Sequence, residues 1–88
     1  MDFRLLGGLE VWDGEQQVPL GGGKQRAVLA LLLLHANEVL ATDRLIDELW
    51  GESPPETART ALQVYVVRLR KALGADRIRT HEPGYVLE

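Results

Sequence analysis

Between Ser53 and Gly74 the apolar positions recur with a helical period. At about 100° per residue, Ala58, Leu62, Tyr65, Val66, Leu69, Ala72 and Leu73 fall on one broad stripe, and that stripe is expected to be buried. Ser53 followed by Glu56 has capping-box spacing, Pro54 stands where a first turn accepts proline, and Gly74 is placed to stop the run. A helix is therefore predicted over Pro54–Leu73. Its opposite face carries Thr60, Gln63, Val64, Val67, Arg68 and Lys71, with Arg59 and Arg70 on one flank near the apolar boundary.

The same reading applied along the chain predicts three short N-terminal strands, Phe3–Leu6, Leu9–Trp12 and Gln16–Leu20, the last two joined through Asp13-Gly14, a strong hairpin signal. Leu9 and Val11 alternate with Glu10 and Trp12, as in a sheet with one wet face. Trp12 is read as an outer-face, cross-strand packing residue. Gly23–His35 is apolar almost all round and predicts a helix central to the core, closed near Asn37. Glu38–Ala41 is extended enough for a strand at a sheet edge. Thr42 is placed to cap a helix over Asp43–Trp50, with Leu45, Ile46, Leu49 and Trp50 inward and Gly51 as its stop. That helix and the next form a helix-turn-helix arrangement with a slightly long turn. Finally, Arg77–Thr80 and Tyr85–Leu87 flank His81-Glu82-Pro83-Gly84. Pro-Gly at a turn centre favours type II, so a terminal hairpin is expected.

Composition narrows the chemistry. The 88 residues, 45% of them apolar, support a single domain over residues 1–88. There is no cysteine, and Ser53 is the only serine and already has a capping role. Thiolate metal sites, disulfides and a hydrolase triad are excluded or have little to stand on. No acid–base pair or metal cluster appears at workable spacing, so the chain is not expected to be an enzyme or to need a cofactor. Ala27–Leu34 is eight apolar residues, far short of the roughly 20 that span a bilayer. No membrane partner is expected. The N-terminus lacks the features of a secretory leader, which together with the missing cysteines suggests the cytoplasm. Gly21-Gly22-Gly23-Lys24 invites a phosphate-loop reading, but Val18 and Gln25 stand where such a loop has glycine and Ser or Thr. Lys24, Gln25 and Arg26 either touch a phosphate or face solvent.

The net charge of -3 is unevenly spread. Residues 1–54 carry four basic against nine acidic side chains, a net -5, and residues 55–88 carry six against four, a net +2. With a Debye length of about 8 Å at physiological salt, a basic face binds phosphate while an acidic far side is screened. Base edges are read by Arg and Gln, thymine methyls are met by small apolar side chains, and Lys and flanking Arg take phosphates. The face built from Gln63, Val64, Val67 and Arg68 suits that task, and an amphipathic helix with a solvated basic face is the alternative. The hairpin, bearing Arg77, Arg79 and His81, either closes a sheet or also lays its tip on the DNA backbone or in a minor groove.

The order of elements resembles the winged-helix DNA-binding domain of OmpR/PhoB-type regulators. Leu9-Glu10-Val11, Lys24-Gln25-Arg26, Leu34-His35-Ala36-Asn37, Asp43-Arg44-Leu45-Ile46, Leu49-Trp50-Gly51, Pro54-Pro55, Thr57-Ala58-Arg59, Leu62-Gln63-Val64-Tyr65-Val66, Arg68-Leu69-Arg70 and Gly84-Tyr85 are together similar to the SARP/AfsR group, the antibiotic regulatory proteins of actinobacteria. The resemblance covers essentially the whole chain. It implies an α+β fold, a winged helix-turn-helix with an N-terminal antiparallel sheet, three helices and a C-terminal β-hairpin wing. It implies a transcriptional activator that binds double-stranded DNA at direct repeats in promoters of biosynthetic gene clusters, as a head-to-tail homodimer beside RNA polymerase. A helical activation domain would follow. The implied base-reading residues are Gln63, Val64, Val67 and Arg68, the phosphate contacts Thr60, Arg70 and Lys71, and the wing contacts Arg79 and His81. Trp50, Gly51, Glu52 and Ser53 would form a polymerase-facing loop. His81 stands where relatives often have Arg, and Val67 where they commonly have a small polar residue. A winged-helix module that binds protein rather than DNA is the alternative function.

Overall fold

The alternation at residues 9–12 organises the first layer. In the computed structural model, which describes residues 1–4 and 8–88, Leu9 and Val11 are buried while Glu10 and Trp12 are half-buried. Strand β1 (Asp2–Arg4) pairs antiparallel with β2 (Glu10–Asp13), and β2 with β3 (Gln16–Gln17). The expected first strand ran to Leu6; its residues Leu5 and Leu6 lie outside the described residues. Asp13 pairs with Gln16, so the loop residues are Gly14 and Glu15, one position beyond the expected turn, and Gly14 takes φ +63°. The third strand is shorter than Gln16–Leu20. Val18 N–H makes a last ladder bond to Val11 O at 2.7 Å, Pro19 has no N–H to continue it, and Leu20 turns into the core. Trp12 is a cross-strand packing residue, with Arg4 4.8 Å from its ring centroid and its indole N–H donated to Glu10 at 3.0 Å.

Helix α1 (Gly23–Leu34) buries Val28, Leu29 and Leu32 but leaves Leu34 68% exposed. The helix is central to the core as expected, packing on α2, α3 and β6, but these cover one side, so its almost all-round apolar surface is not buried all round. In its first turn Lys24 is exposed, as one of the two expectations had it, whereas Gln25 is buried and Arg26 half-buried, and all three make hydrogen bonds to the backbone. Gln25 is buried and donates to Leu20 O at 2.7 Å, Arg26 donates to Leu9 O, and Lys24 Nζ donates to Leu49 O at 2.8 Å. A Cβ on Gly21 would stand 2.5 Å from Gln25 Nε2, so the glycine makes room for the amide.

Asn37 ends the α1 turn at φ +67°, and its N–H donates to Leu87 O at 2.8 Å. Strand β4 is only Leu40–Ala41, shorter than Glu38–Ala41, and adds to the edge of β6 as expected. Thr42 is the first residue of helix α2 (Thr42–Trp50) rather than its cap. Its N–H donates to Pro83 O at 3.1 Å, so the hairpin turn satisfies one of the helix-start amides that have no partner within the helix. Leu45 and Ile46 are buried, Leu49 and Trp50 pack half-buried against the core, and Gly51 at φ +72° ends the helix.

Helix α3 is Ala58–Leu73 and does not begin at Pro54. The Ser53–Glu56 capping box does not form. A residue before proline is pushed out of the α region, and Pro54-Pro55 imposes that on Ser53 and Pro54 together. Ala58 N–H instead bonds Pro55 O at 3.0 Å and Ala61 N–H bonds Thr57 O at 2.8 Å, which launches the helix. The connection between α2 and α3 is therefore residues 51–57.

Strands β5 (Ile78–His81) and β6 (Gly84–Leu87) form the terminal hairpin, and the second sheet runs β4-β6-β5. His81 pairs with Gly84, leaving Glu82 and Pro83 as the loop with a cis peptide between them. The type II turn centred on Pro83-Gly84 is thus corrected. Gly84 belongs to the strand, because its bare Cα lies against the backbone of Leu40. The deepest side chains, Val11, Val28, Leu29, Leu32, Leu45, Leu62, Val66, Leu69 and Ile78, come from both sheets and all three helices and share one core.

Candidate nucleic-acid interface

The predicted stripe holds α3 in place. Ala58, Leu62, Val66, Leu69 and Leu73 are buried, with Tyr65 half-buried between them, so rotation about the helix axis is fixed by the core. Thr60, Gln63, Val64, Val67, Arg68 and Lys71 consequently face outward and line one shallow depression of about 380 Å³. Val64 is 38% exposed and Val67 48% exposed. Residues four apart on a helix are neighbours, so the six fall into two rows, Thr60–Val64–Arg68 and Gln63–Val67–Lys71. Each row has an apolar centre and polar ends. Four of these residues are the expected base readers, and Thr60 and Lys71 are two of the expected phosphate contacts.

The flanking arginines are engaged. Arg59 Nη2 lies 2.5 Å from Asp43 Oδ1, joining α3 to α2 across an exposed gap. Arg70, the third expected phosphate contact, donates Nε to Ile78 O and Nη2 to Thr80 Oγ1, both at 2.8 Å, with its guanidinium 5.9 Å from the Tyr85 ring. It ties the wing to α3. Those ties span eight to ten residues and have no short-range signature in the sequence. Lys71, in the last turn of α3, is suitably placed for the negative end of the helix dipole and faces outward.

On the wing, Arg79 and His81 are both exposed. Arg79 Nε is paired with Glu88 Oε1 at 2.8 Å, and His81 Nδ1 lies 3.1 Å from the Glu82 carbonyl oxygen. A second depression of about 250 Å³ separates the wing from α3, lined by Thr42, Arg59, Gln63, Thr80, Glu82 and Tyr85 among others. Sequence reasoning missed it, because its walls come from α2, α3 and the hairpin. Gln63 lines both depressions and so joins the helix face to the wing.

Trp50 and the loop behind it form a separate surface. The Trp50 ring stacks on Tyr65 with centroids 6.5 Å apart and an interplanar angle of 21°, and Lys24 Nζ lies 5.2 Å from its centroid. Its packing against the core agrees with the expectation of a core anchor. Gly51, Glu52 and Ser53 are exposed. Among the described residues, no group of three His, Cys, Asp or Glu side chains is arranged to hold a metal ion, and no helix is long and apolar enough to cross a membrane.

Residues 14–87 match the family model described as "Transcriptional regulatory protein, C terminal". The chain is 42% identical over 93 residues to the transcriptional regulatory protein MoaR1 of Mycobacterium tuberculosis, covering 99% of this chain and 30% of MoaR1. It is 38% identical over 85 residues to the regulatory protein AfsR of Streptomyces griseus, covering 97% of this chain and 9% of AfsR. It thus spans under a third of either relative. Among solved structures, Mycobacterium tuberculosis EmbR in complex with a low-affinity phosphopeptide superposes with a TM-score of 0.92 at 42% identity, over 99% of this chain and 24% of that one. The C-terminal domain of NsrR, a lantibiotic response regulator, superposes with a TM-score of 0.70 at 29% identity, over 89% of this chain and 82% of that one.

Proposed function

The chain belongs to the transcriptional regulatory protein C-terminal family, the OmpR/PhoB-type winged-helix domains whose relatives here are SARP-type regulators, and from that premise we propose that it reads DNA sequence for a transcriptional activator in the cytoplasm. Helix α3 enters the major groove, where Gln63 and Arg68 hydrogen-bond base edges beside Val64 and Val67. Thr60 and Lys71 meet flanking phosphates, Arg70 holds the wing in register with α3 and presents its remaining N–H groups to the backbone, and Arg79 and His81 approach the neighbouring groove. Two copies sit head to tail on a direct repeat in promoters of biosynthetic gene clusters, antibiotic clusters among them. The surface formed by Trp50, Gly51, Glu52 and Ser53 then meets RNA polymerase.

The observation that carries this reading is the outward face of α3. Six side chains of groove-reading chemistry share one depression on a helix whose rotation the core fixes. Selection of bound duplexes from a random library with the 88-residue chain, followed by titration of the best duplex against salt, tests it. Enrichment of a short motif, with log affinity falling by about 0.9 per phosphate contact against log salt, is the expected result. A motif recovered as a direct repeat supports the tandem arrangement.

The exposed Val64–Val67 pair on an acidic chain favours one second reading, a protein-binding module in which the arginines only rim an apolar patch. Under it, neither an enriched motif nor salt-dependent duplex binding emerges.

A further inference from the structure

Resting on the DNA-reading function above, we infer that Val64 and Val67 select thymine through its C5-methyl group at two positions of the bound sequence. Both are β-branched residues in the middle of a well-formed helix, where the side chain is stiff at its first rotatable bond. They therefore present fixed methyl groups outward. Each is the apolar centre of a row whose ends are polar, Thr60 and Arg68 around Val64, Gln63 and Lys71 around Val67. The rim fastens the face to hydrogen-bonding groups and phosphates, which leaves the two valines facing whatever lies midway across the groove.

The major groove offers one apolar group, the thymine methyl. Valine has neither donor nor acceptor. Pressed against cytosine N4 or adenine N6, it strips water from an amino group and returns no hydrogen bond, so these bases are disfavoured as thymine is favoured. Residues three apart on a helix have Cβ atoms about 5–6 Å apart, and stacked base pairs are about 3.4 Å apart. The pair thus matches methyls one to two base-pair steps apart. Their partial exposure in the free chain, 38% and 48%, leaves apolar surface still to be buried on contact.

The test replaces each thymine of the best selected duplex in turn with deoxyuridine, which removes the methyl and keeps every Watson–Crick and groove hydrogen-bonding group. The 88-residue chain is titrated beside its Val64→Ser and Val67→Ser variants, which alter exposed positions and leave the core untouched. Two deoxyuridine positions are expected to weaken the parent chain by about fourfold each, the value of one buried methyl-sized group. Val64→Ser should abolish the response at one of them and Val67→Ser at the other, to within about twofold. Specific binding by the parent chain with no deoxyuridine response overturns the inference and leaves DNA reading standing. A response that persists unchanged in both serine variants also overturns it, because the methyl is then read by another group or through duplex shape. Failure to select any sequence overturns the parent function, and this inference with it.

Discussion

A Cβ placed on Gly84 would stand 1.8 Å from the carbonyl oxygen of Leu40, so β6 and β4 meet there backbone to backbone. The contact seats the loop end of the wing against the start of α2. Gly84→Ala must push these strands apart, with no help from a flexible side chain. The expected loss is about 2–4 kcal/mol of unfolding free energy, read as a lower urea midpoint. An unchanged midpoint would show that the strands part freely.

Arg70→Met keeps most of the aliphatic stem and removes the hydrogen bonds to Ile78 O and Thr80 Oγ1. Stability is expected to fall by about 1–2 kcal/mol. If Arg70 also meets a phosphate, the salt slope of duplex binding falls by about 0.9. Denaturation and salt titration of the same variant separate wing support from phosphate contact.

Arg68→Ala and Lys71→Ala are expected to differ in kind. The first should cost about 1–3 kcal/mol of binding and relax preference at one base pair, whereas the second should weaken all sequences alike and flatten the salt dependence. Both residues are exposed, so the thermal midpoints should barely move. Equal effects on selected and scrambled duplexes for Arg68→Ala would remove it from the base-reading set.

Lys24→Met probes the glycine-rich loop. Lys24 bonds Leu49 O and covers the Trp50 ring, so its loss should lower stability by about 1 kcal/mol while duplex affinity stays within about twofold of the parent. A large affinity loss at unchanged stability would reassign Lys24 to the interface.

The two faces of α3 were legible because helical periodicity depends only on residue order, and every residue placed on its inner stripe is buried or half-buried. Its start was not. Ser53 and Glu56 have the right spacing, but Pro54-Pro55 excludes the helical backbone they need. Gln25 read as a surface residue because its partner, Leu20 O, becomes available only once the chain bends at Gly21. Gly84 read as a turn glycine because its neighbour in sequence is Pro83, whereas its constraint comes from Leu40, far away along the chain. Arg59 and Arg70 carry the same lesson. Periodicity placed them on the correct flank, but their partners Asp43, Ile78 and Thr80 are set by topology. The pattern that assigned a residue to a face did not reveal which groups it would hold there.

The bond from Thr42 N–H to Pro83 O joins the hairpin loop to the first residue of α2. It makes a single amide proton a local sensor of the wing. When the hairpin lifts, that proton loses its acceptor and exchanges with solvent, so its exchange rate in the free chain measures how often the wing opens. Slower exchange of Thr42 on addition of the selected duplex, with core amides such as that of Leu62 as the reference, would register DNA clamping the wing. An unchanged rate would mean that the wing is already as closed in solution as it is on DNA.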